Sequence, residues 1–233
     1  MHEHSYLEKR SQLQQYFDRT AFDAWAKLTS TAPVSGIRKT VRAGRDEMRN
    51  TLLSYLPQHL NGQRVLDAGC GTGALAVELA KRGANVLATD ISPTLIELAR
   101  ERLPKDLGRG SIEFFAGDML DAALGQFDHV VCMDSLIHYD TPDIARAFEA
   151  LAQRTRRSVL FTFAPHTPLL ATAHALGRWF PRSDRSPQLS PVRQSALHQH
   201  IVQAVQGQGW QPQRMQRIAS GFYTSQAWEW VKP

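Results

Sequence analysis

The apolar positions of the chain change period part-way along it. From Ser5 to Leu28, the residues Leu13, Tyr16, Phe17, Ala21, Ala24, Trp25 and Leu28 fall close to one helical face. This spacing predicts an amphipathic helix, interrupted near Thr20. Ser35 is placed to cap a second helix reaching about Leu56, with Ile37, Val41, Met48, Leu52 and Leu56 as its apolar stripe. Arg38, Arg42, Arg45 and Arg49 run beside that stripe, either as a solvated face or as one that meets something acidic.

Short apolar runs then take over: Val65-Leu66 before Asp67, Asn85 to Asp90, Ser111 to Ala116, Phe127 to Met133 and Ser158 to Phe163. Helical spacing fills the intervals, over Ala74 to Arg82, from Ser92-Pro93 to about Leu103, and from Thr141-Pro142 to about Thr155. Strand and helix in alternation predict an α/β fold, a parallel sheet with helices on both faces. A helix over Gln194 to Gln206 follows, and then two strand-like runs, Gln213 to Ala219 and Phe222 to Val231. The short return Ser220-Gly221 makes these an antiparallel pair at the sheet edge.

Between Ala164 and Pro187 lies an apolar helix through Trp179-Phe180 and a polar loop, more than a simple connection needs. It is expected to form a lid at about residues 165–191. Residues 1–60 then read as a helical arm covering one domain of residues 61–233, with no repeat or linker to divide it.

Composition narrows the class. With 233 residues, 42% of them hydrophobic and 21% charged, the chain has enough apolar surface for a real core. No run approaches the ~18 apolar residues of a membrane span, and the first ten residues lack a signal's apolar core, so a cytoplasmic protein is expected. Cys70 and Cys132 have no metal-ligand spacing and read as small buried residues. The formal charge is +5, but it is lopsided: between Ala150 and Trp228 the one acid is Asp184. Nucleic acid, a carboxylated small molecule or plain solvent are the three readings of that basic half.

The chemistry gathers at Asp67-Ala-Gly-Cys-Gly-Thr-Gly73, a glycine turn between the first strand and the next helix. Glycines at alternate positions let a ligand approach the backbone, and the helix start offers free N–H groups. The third glycine follows the second by two residues rather than the three of a dinucleotide fingerprint, and an acid precedes the first. A ligand without a pyrophosphate is therefore favoured. Asp67 beside Gly69 and Gly71 suits a cationic amine, as carried by the methionine end of S-adenosyl-L-methionine. Asp90 stands where an acid bonds ribose hydroxyls, with Ile91 next to it. Asp118, followed by Met119, stands where an adenine amino group would lie. The fourth strand ends in Asp134-Ser-Leu-Ile-His138-Tyr139, which places Asp134 at the mouth of the same site. A strand-turn-helix with no ligand is the competing reading.

The glycine turn, the alternating sheet and the terminal hairpin resemble the Rossmann-like, seven-stranded S-adenosylmethionine-dependent methyltransferases. More specific stretches narrow the resemblance. These are Tyr16-Phe17 with Phe22-Asp23-Ala24-Trp25, Ser135-Leu-Ile-His-Tyr139, Thr162-Phe-Ala-Pro165, Phe180-Pro-x-Ser-Asp-Arg185 and Ser220-Gly-Phe-Tyr-x-Ser-Gln226. Together they resemble the magnesium-protoporphyrin IX O-methyltransferase family of chlorophyll and bacteriochlorophyll synthesis. One departure is visible: an arginine is expected where Ala24 stands.

The resemblance implies methyl transfer from S-adenosyl-L-methionine to a propionate carboxylate of magnesium-protoporphyrin IX, giving its monomethyl ester. A carboxylate with a pKa near ~4.5 is ionised at neutral pH, so the enzyme has to position it rather than deprotonate it. His138 and Tyr16 are the groups expected to orient it. Phe17, Trp25, Ile137, Tyr139 and Tyr223 would line an apolar slot for the macrocycle, and Arg178 and Arg182 would hold the second propionate. The magnesium belongs to the substrate, and no catalytic metal is expected. The reading leaves open a transient contact with magnesium chelatase and a peripheral place on the photosynthetic membrane. Methylation of nucleic acid, which the basic half allows, lacks a base-reading motif after the fourth strand. A cofactor-binding partner protein without catalysis is the remaining alternative.

Overall fold

The computed structural model describes residues 2–20, 26–29, 36–166 and 189–233. Helix α1 (His2–Gln15) leads into a π-helical turn, Tyr16–Thr20, and α2 spans Gly36–Tyr55. The alternating part comprises β1 (Arg64–Ala68), α3 (Ala74–Lys81), β2 (Asn85–Asp90), α4 (Pro93–Glu101), β3 (Ser111–Ala116), β4 (Phe127–Cys132), α5 (Thr141–Ala152) and β5 (Thr155–Phe163). Helix α6 (Gln194–Ala204) and the hairpin β6 (Gln211–Ser220) and β7 (Tyr223–Val231) complete the described chain.

Seven strands form one sheet among the described residues, in the order β3-β2-β1-β4-β5-β7-β6. The first five strands are parallel, and β7 runs antiparallel to both β5 and β6. Successive residues of the central strands serve opposite faces. Leu66, Val130 and Phe161 pack on one side with Phe148, Trp228 and Trp230, while Val65, Val131 and Leu160 pack on the other with Leu79, Ile96, Met48 and Leu52. That is the expected behaviour of strands covered on both faces. Chain order reverses between β1 and β4, and in such sheets ligands bind outside the carboxyl ends at that point.

Boundaries differ from the sequence reading where a local group decides them. Helix α5 is capped by Asp140, whose Oδ1 accepts the Asp143 N–H at 3.1 Å, so Thr141 is already helical. The N-terminal α-helix stops at Gln15 rather than near Thr20. The wider π turn that follows carries Tyr16 and Phe17, and it is anchored by Asp18, which accepts the hydroxyls of Ser92 and Thr94 at the head of α4.

The stripe expected on α2 is half right: Ile37 is 55% exposed, while Met48, Leu52 and Leu56 are buried in the core. The expected cap, Ser35, lies outside the described residues. The helix approaches the terminal hairpin at Gly44, where a Cβ would stand 2.5 Å from the Tyr223 ring, so no larger residue fits without a shift. At its end, Arg214 of β6 pairs with the buried Glu229 at 2.7 Å and donates to the Ser54 and Tyr55 carbonyls, the last of α2. A charge-assisted cap of this kind satisfies the open carbonyls of a helix end. The lid expected at about residues 165–191 falls mostly on residues 167–188, outside those described. Its two ends meet, since His166 donates to Val192 and Val192 to Ala164, each at 2.9 Å.

Candidate functional site

The glycine turn takes its shape from β2. The Gly69 and Cys70 amides both donate to the Thr89 carbonyl, at 2.8 and 2.9 Å, and Gly71 donates to Asp90 Oδ2 at 2.8 Å. Gly69 has φ +80°, and a Cβ there would stand 2.4 Å from that of Ser135, so both the backbone angle and the space require glycine. A cavity of about 350 Å³ opens at this turn, within the range of small-molecule sites.

One wall of the cavity is the carboxyl end of the sheet. Gly69, Gly71, Asp90, Ile91, Met119 and Asp134, all expected at the cofactor, line it. The lining also includes Tyr16, Phe17, Ile137, His138, Tyr139 and Tyr223. His138 is 7% exposed, with its ring centroid 6.5 Å from that of Phe17, which in turn stands 5.4 Å from Tyr16. Ser190 fixes the loop, its amide donating to the Ile137 carbonyl at 2.9 Å and its hydroxyl to that of His138 at 3.0 Å. Trp25, Arg178 and Arg182 lie outside the described residues.

The four acids at the strand ends are not alike. Asp90 is held by amides, Gly71 N–H on one oxygen and Ser92 N–H at 2.9 Å on the other. Burial still raises its pKa to about 6 against those bonds, with help from the Asp18 charge. Asp67 is 1% exposed and does not line the first cavity. It lines a second opening of about 620 Å³ that shares Gly69, Arg45 and Met133 with the first. Its Oδ2 is buried with no hydrogen-bond partner among the described residues, and burial, then the Asp90 charge, raise its pKa to about 7. A buried carboxylate in that condition calls for a cation.

Asp118 and Asp134, both expected on the cofactor, already have partners within the chain. Asp118 stands outside the cavity lining, and helix α1 already engages it: Tyr6 donates at 3.0 Å and Arg10 at 2.6 Å, while the Leu120 amide donates at 2.9 Å. Tyr6 also stacks on Tyr139, with ring centroids 5.0 Å apart. Asp134 takes the left-handed conformation, φ 55°, and its buried carboxylate joins three elements. Arg45 of α2 pairs with it at 2.7 Å, Tyr223 and Ser225 of β7 donate at 3.0 and 3.2 Å, and Thr162 of β5 at 3.2 Å. Those donors fill the oxygens that a ligand would need. Tyr223 thus lines the cavity with its hydroxyl already committed to Asp134.

Sequence reasoning missed Tyr6, Arg10 and Asp18. Tyr6 and Arg10 stand four residues apart on α1, a helical spacing that shows a shared face but not what that face meets.

Comparison with known proteins places this geometry. The chain has the class I methyltransferase fold, and residues 65–158 match a family described as methyltransferase domain. Residues 132–232 match the family described as magnesium-protoporphyrin IX methyltransferase C-terminus. The magnesium-protoporphyrin O-methyltransferase of Rhodobacter capsulatus is 50% identical over 226 residues, 97% of each chain, and that of Synechocystis is 29% identical over 97% of each. The crystal structure of magnesium protoporphyrin IX methyltransferase from Synechocystis with bound SAH superposes with a TM-score of 0.84, at 27% identity, over 97% of this chain and 100% of that one. The chain belongs to the magnesium-protoporphyrin O-methyltransferase family.

Proposed function

We propose that the protein transfers a methyl group from S-adenosyl-L-methionine to one propionate carboxylate of magnesium-protoporphyrin IX, giving the monomethyl ester and S-adenosyl-L-homocysteine. The observation that carries this reading is one cavity with two unlike sets of lining residues: strand-end acids with the glycine turn, and aromatic rings with a buried histidine. The residues fit the cofactor. The unpartnered oxygen of Asp67 suits its ammonium group, the bare Gly69 leaves room for its approach, and Asp90 retains lone pairs for ribose hydroxyls.

When bound, S-adenosyl-L-methionine supplies a methyl group on a positively charged sulfur. The chain's own residues have a positioning task, because the attacking carboxylate needs no base. His138 donates a ring N–H to the propionate and Tyr16 its hydroxyl, which aligns the attacking oxygen with the methyl carbon. Phe17, Ile137 and Tyr139 exclude water around them and meet the flat macrocycle. Residues ahead of the sheet act as a cover, α1 latching to Asp118 and the Tyr16 turn to α4, and slower amide exchange in α1 on cofactor binding tests this.

Among the described residues no helix is long and apolar enough to cross a membrane. Transient contact with magnesium chelatase and a peripheral seat on the photosynthetic membrane belong to the proposal. The acid-poor second half supports both, and co-sedimentation with the chelatase or with anionic vesicles tests each. Incubation with labelled S-adenosyl-L-methionine and magnesium-protoporphyrin IX, followed by mass analysis of the pigment, tests the function directly. A pigment that gains no methyl group refutes it.

A further inference from the structure

Four arginines stand three or four residues apart along α2, and three of them have work inside the fold. Arg42 donates to the carbonyls of Leu28 and Lys27, each at 2.8 Å. Arg45 pairs with Asp134 at 2.7 Å and Arg49 with Asp46 at 2.8 Å. Arg38 is different. It lines the mouth of the cavity, exposed, and has no hydrogen-bond or ion-pair partner among the described residues.

The surroundings of Arg38 are apolar. Leu28 and Val41 line the same cavity, and so does Phe222 in the β6–β7 turn, 72% exposed. That turn is seated on the start of α2: the Phe222 amide donates to Thr40 Oγ1 at 3.5 Å, and a Cβ on Gly221 would stand 2.6 Å from the same oxygen. The backbone of Phe222 is thus held at Thr40, two residues along α2 from Arg38, and both side chains line the one cavity. A large apolar side chain left this exposed on a cavity that an unpaired guanidinium also lines matches a ligand that is flat and apolar with an acid at its edge.

We propose that Arg38 and Phe222 form the subsite for the substrate's second, non-reacting propionate and the macrocycle edge that bears it. The inference rests on the function proposed above and goes beyond it, because it assigns the residue that sets which way round the dicarboxylate enters. The unreacted carboxylate stays ionised through the reaction and has to end in water or against a cation. The other charges lining the cavity are already matched. Asp134 is neutralised by Arg45 and Asp90 is held by two amides, which leaves Arg38 as the cation at the mouth with no counter-charge among the described residues.

The test is steady-state kinetics on the full chain, with magnesium-protoporphyrin IX and with an analogue whose second propionate is amidated. Arg38→Ala should raise KM for the dicarboxylate roughly 10-fold, the scale of one partly exposed charge-assisted contact, with kcat and cofactor affinity nearly unchanged. Arg38→Lys should recover part of the loss. The wild type should bind the amidated analogue more weakly by a similar factor, and Arg38→Ala should no longer tell the two porphyrins apart. Phe222→Ser should raise KM for both porphyrins alike. An unchanged KM in Arg38→Ala, a loss confined to kcat, or equal discrimination by wild type and variant would each overturn the assignment. A wild type inactive on both porphyrins would overturn the proposed function and the subsite with it.

Discussion

The most direct test of the cofactor site is the pH dependence of its affinity, because Asp67 stores the relevant free energy. Its carboxyl group is 1% exposed, one oxygen has no partner among the described residues, and its pKa is raised to about 7. The sign follows from linkage. A raised pKa means that the folded protein holds this proton more tightly than the unfolded chain does, so ionising Asp67 costs stability as pH rises from about 4 to 7. Three units correspond to about 4 kcal/mol at most. A bound ammonium group reverses this by favouring the charged form, so binding should release a proton. With a pKa of about 7, roughly a tenth of Asp67 is ionised at pH 6 and about three quarters at pH 7.5, so affinity for S-adenosyl-L-methionine should rise on the order of 10-fold over that interval. Calorimetry in buffers of different ionisation enthalpy measures both the affinity and the proton count. Asp67→Asn should bind more weakly, show little of the pH dependence and, without ligand, unfold at higher denaturant than the wild type at pH 8. An affinity that is flat with pH in the wild type, with no proton released, would refute the assignment of Asp67 to the amine.

Other outcomes follow from the same geometry. His138→Ala and Tyr16→Phe should lower kcat by ~10- to 1,000-fold with cofactor affinity nearly intact, and full activity in both would remove them from the mechanism. Asp134→Asn keeps a residue that tolerates the left-handed backbone but strips Arg45 of its counter-charge, so urea unfolding should show a loss of about 2 kcal/mol or more, and an unchanged midpoint would count against the hub. His129 is buried between Ser158 at 2.7 Å and Gln63 at 2.8 Å, and burial lowers its pKa from 6.5 to about 4. Its neutral form is the one that folds, so its contribution is present above pH 6.5 and is lost as pH falls toward 4, by about 3 kcal/mol over the whole span. A His129→Gln variant with the same acid sensitivity as the wild type would show that other groups govern it.

The sheet was legible because its signals are local and redundant. The apolar runs, the glycine turn and the helix starts at Ser92-Pro93 and Thr141-Pro142 each predict the same alternation, and the strands form within a few residues of where they were expected. The arm was less legible. Its apolar spacing showed a helix, but the change to a π turn at Tyr16 rests on Asp18 reaching Ser92 and Thr94, a contact between residues more than 70 apart that no period encodes. Arg214 on the end of α2 is of the same kind.

The four strand-end acids show most plainly where sequence reasoning stops. Position put all four beside a cofactor, because each ends a parallel strand or follows one closely at the carboxyl edge of the sheet. What an acid does there depends on which donors reach it first, and those donors come from distant parts of the chain. Tyr6 and Arg10 arrive on α1 and take Asp118, while Arg45, Thr162, Tyr223 and Ser225 converge on Asp134 from three elements. Asp90 is shared, with amides on one side of each oxygen and the cavity on the other. Asp67 alone of the four keeps a buried oxygen without a partner among the described residues. Leaving a buried acid in that state costs stability, and a fold retains such a cost where a ligand relieves it. A buried oxygen without a partner, rather than the presence of an acid, is therefore what singles out Asp67 for the ammonium group, while the other three acids also build the structure.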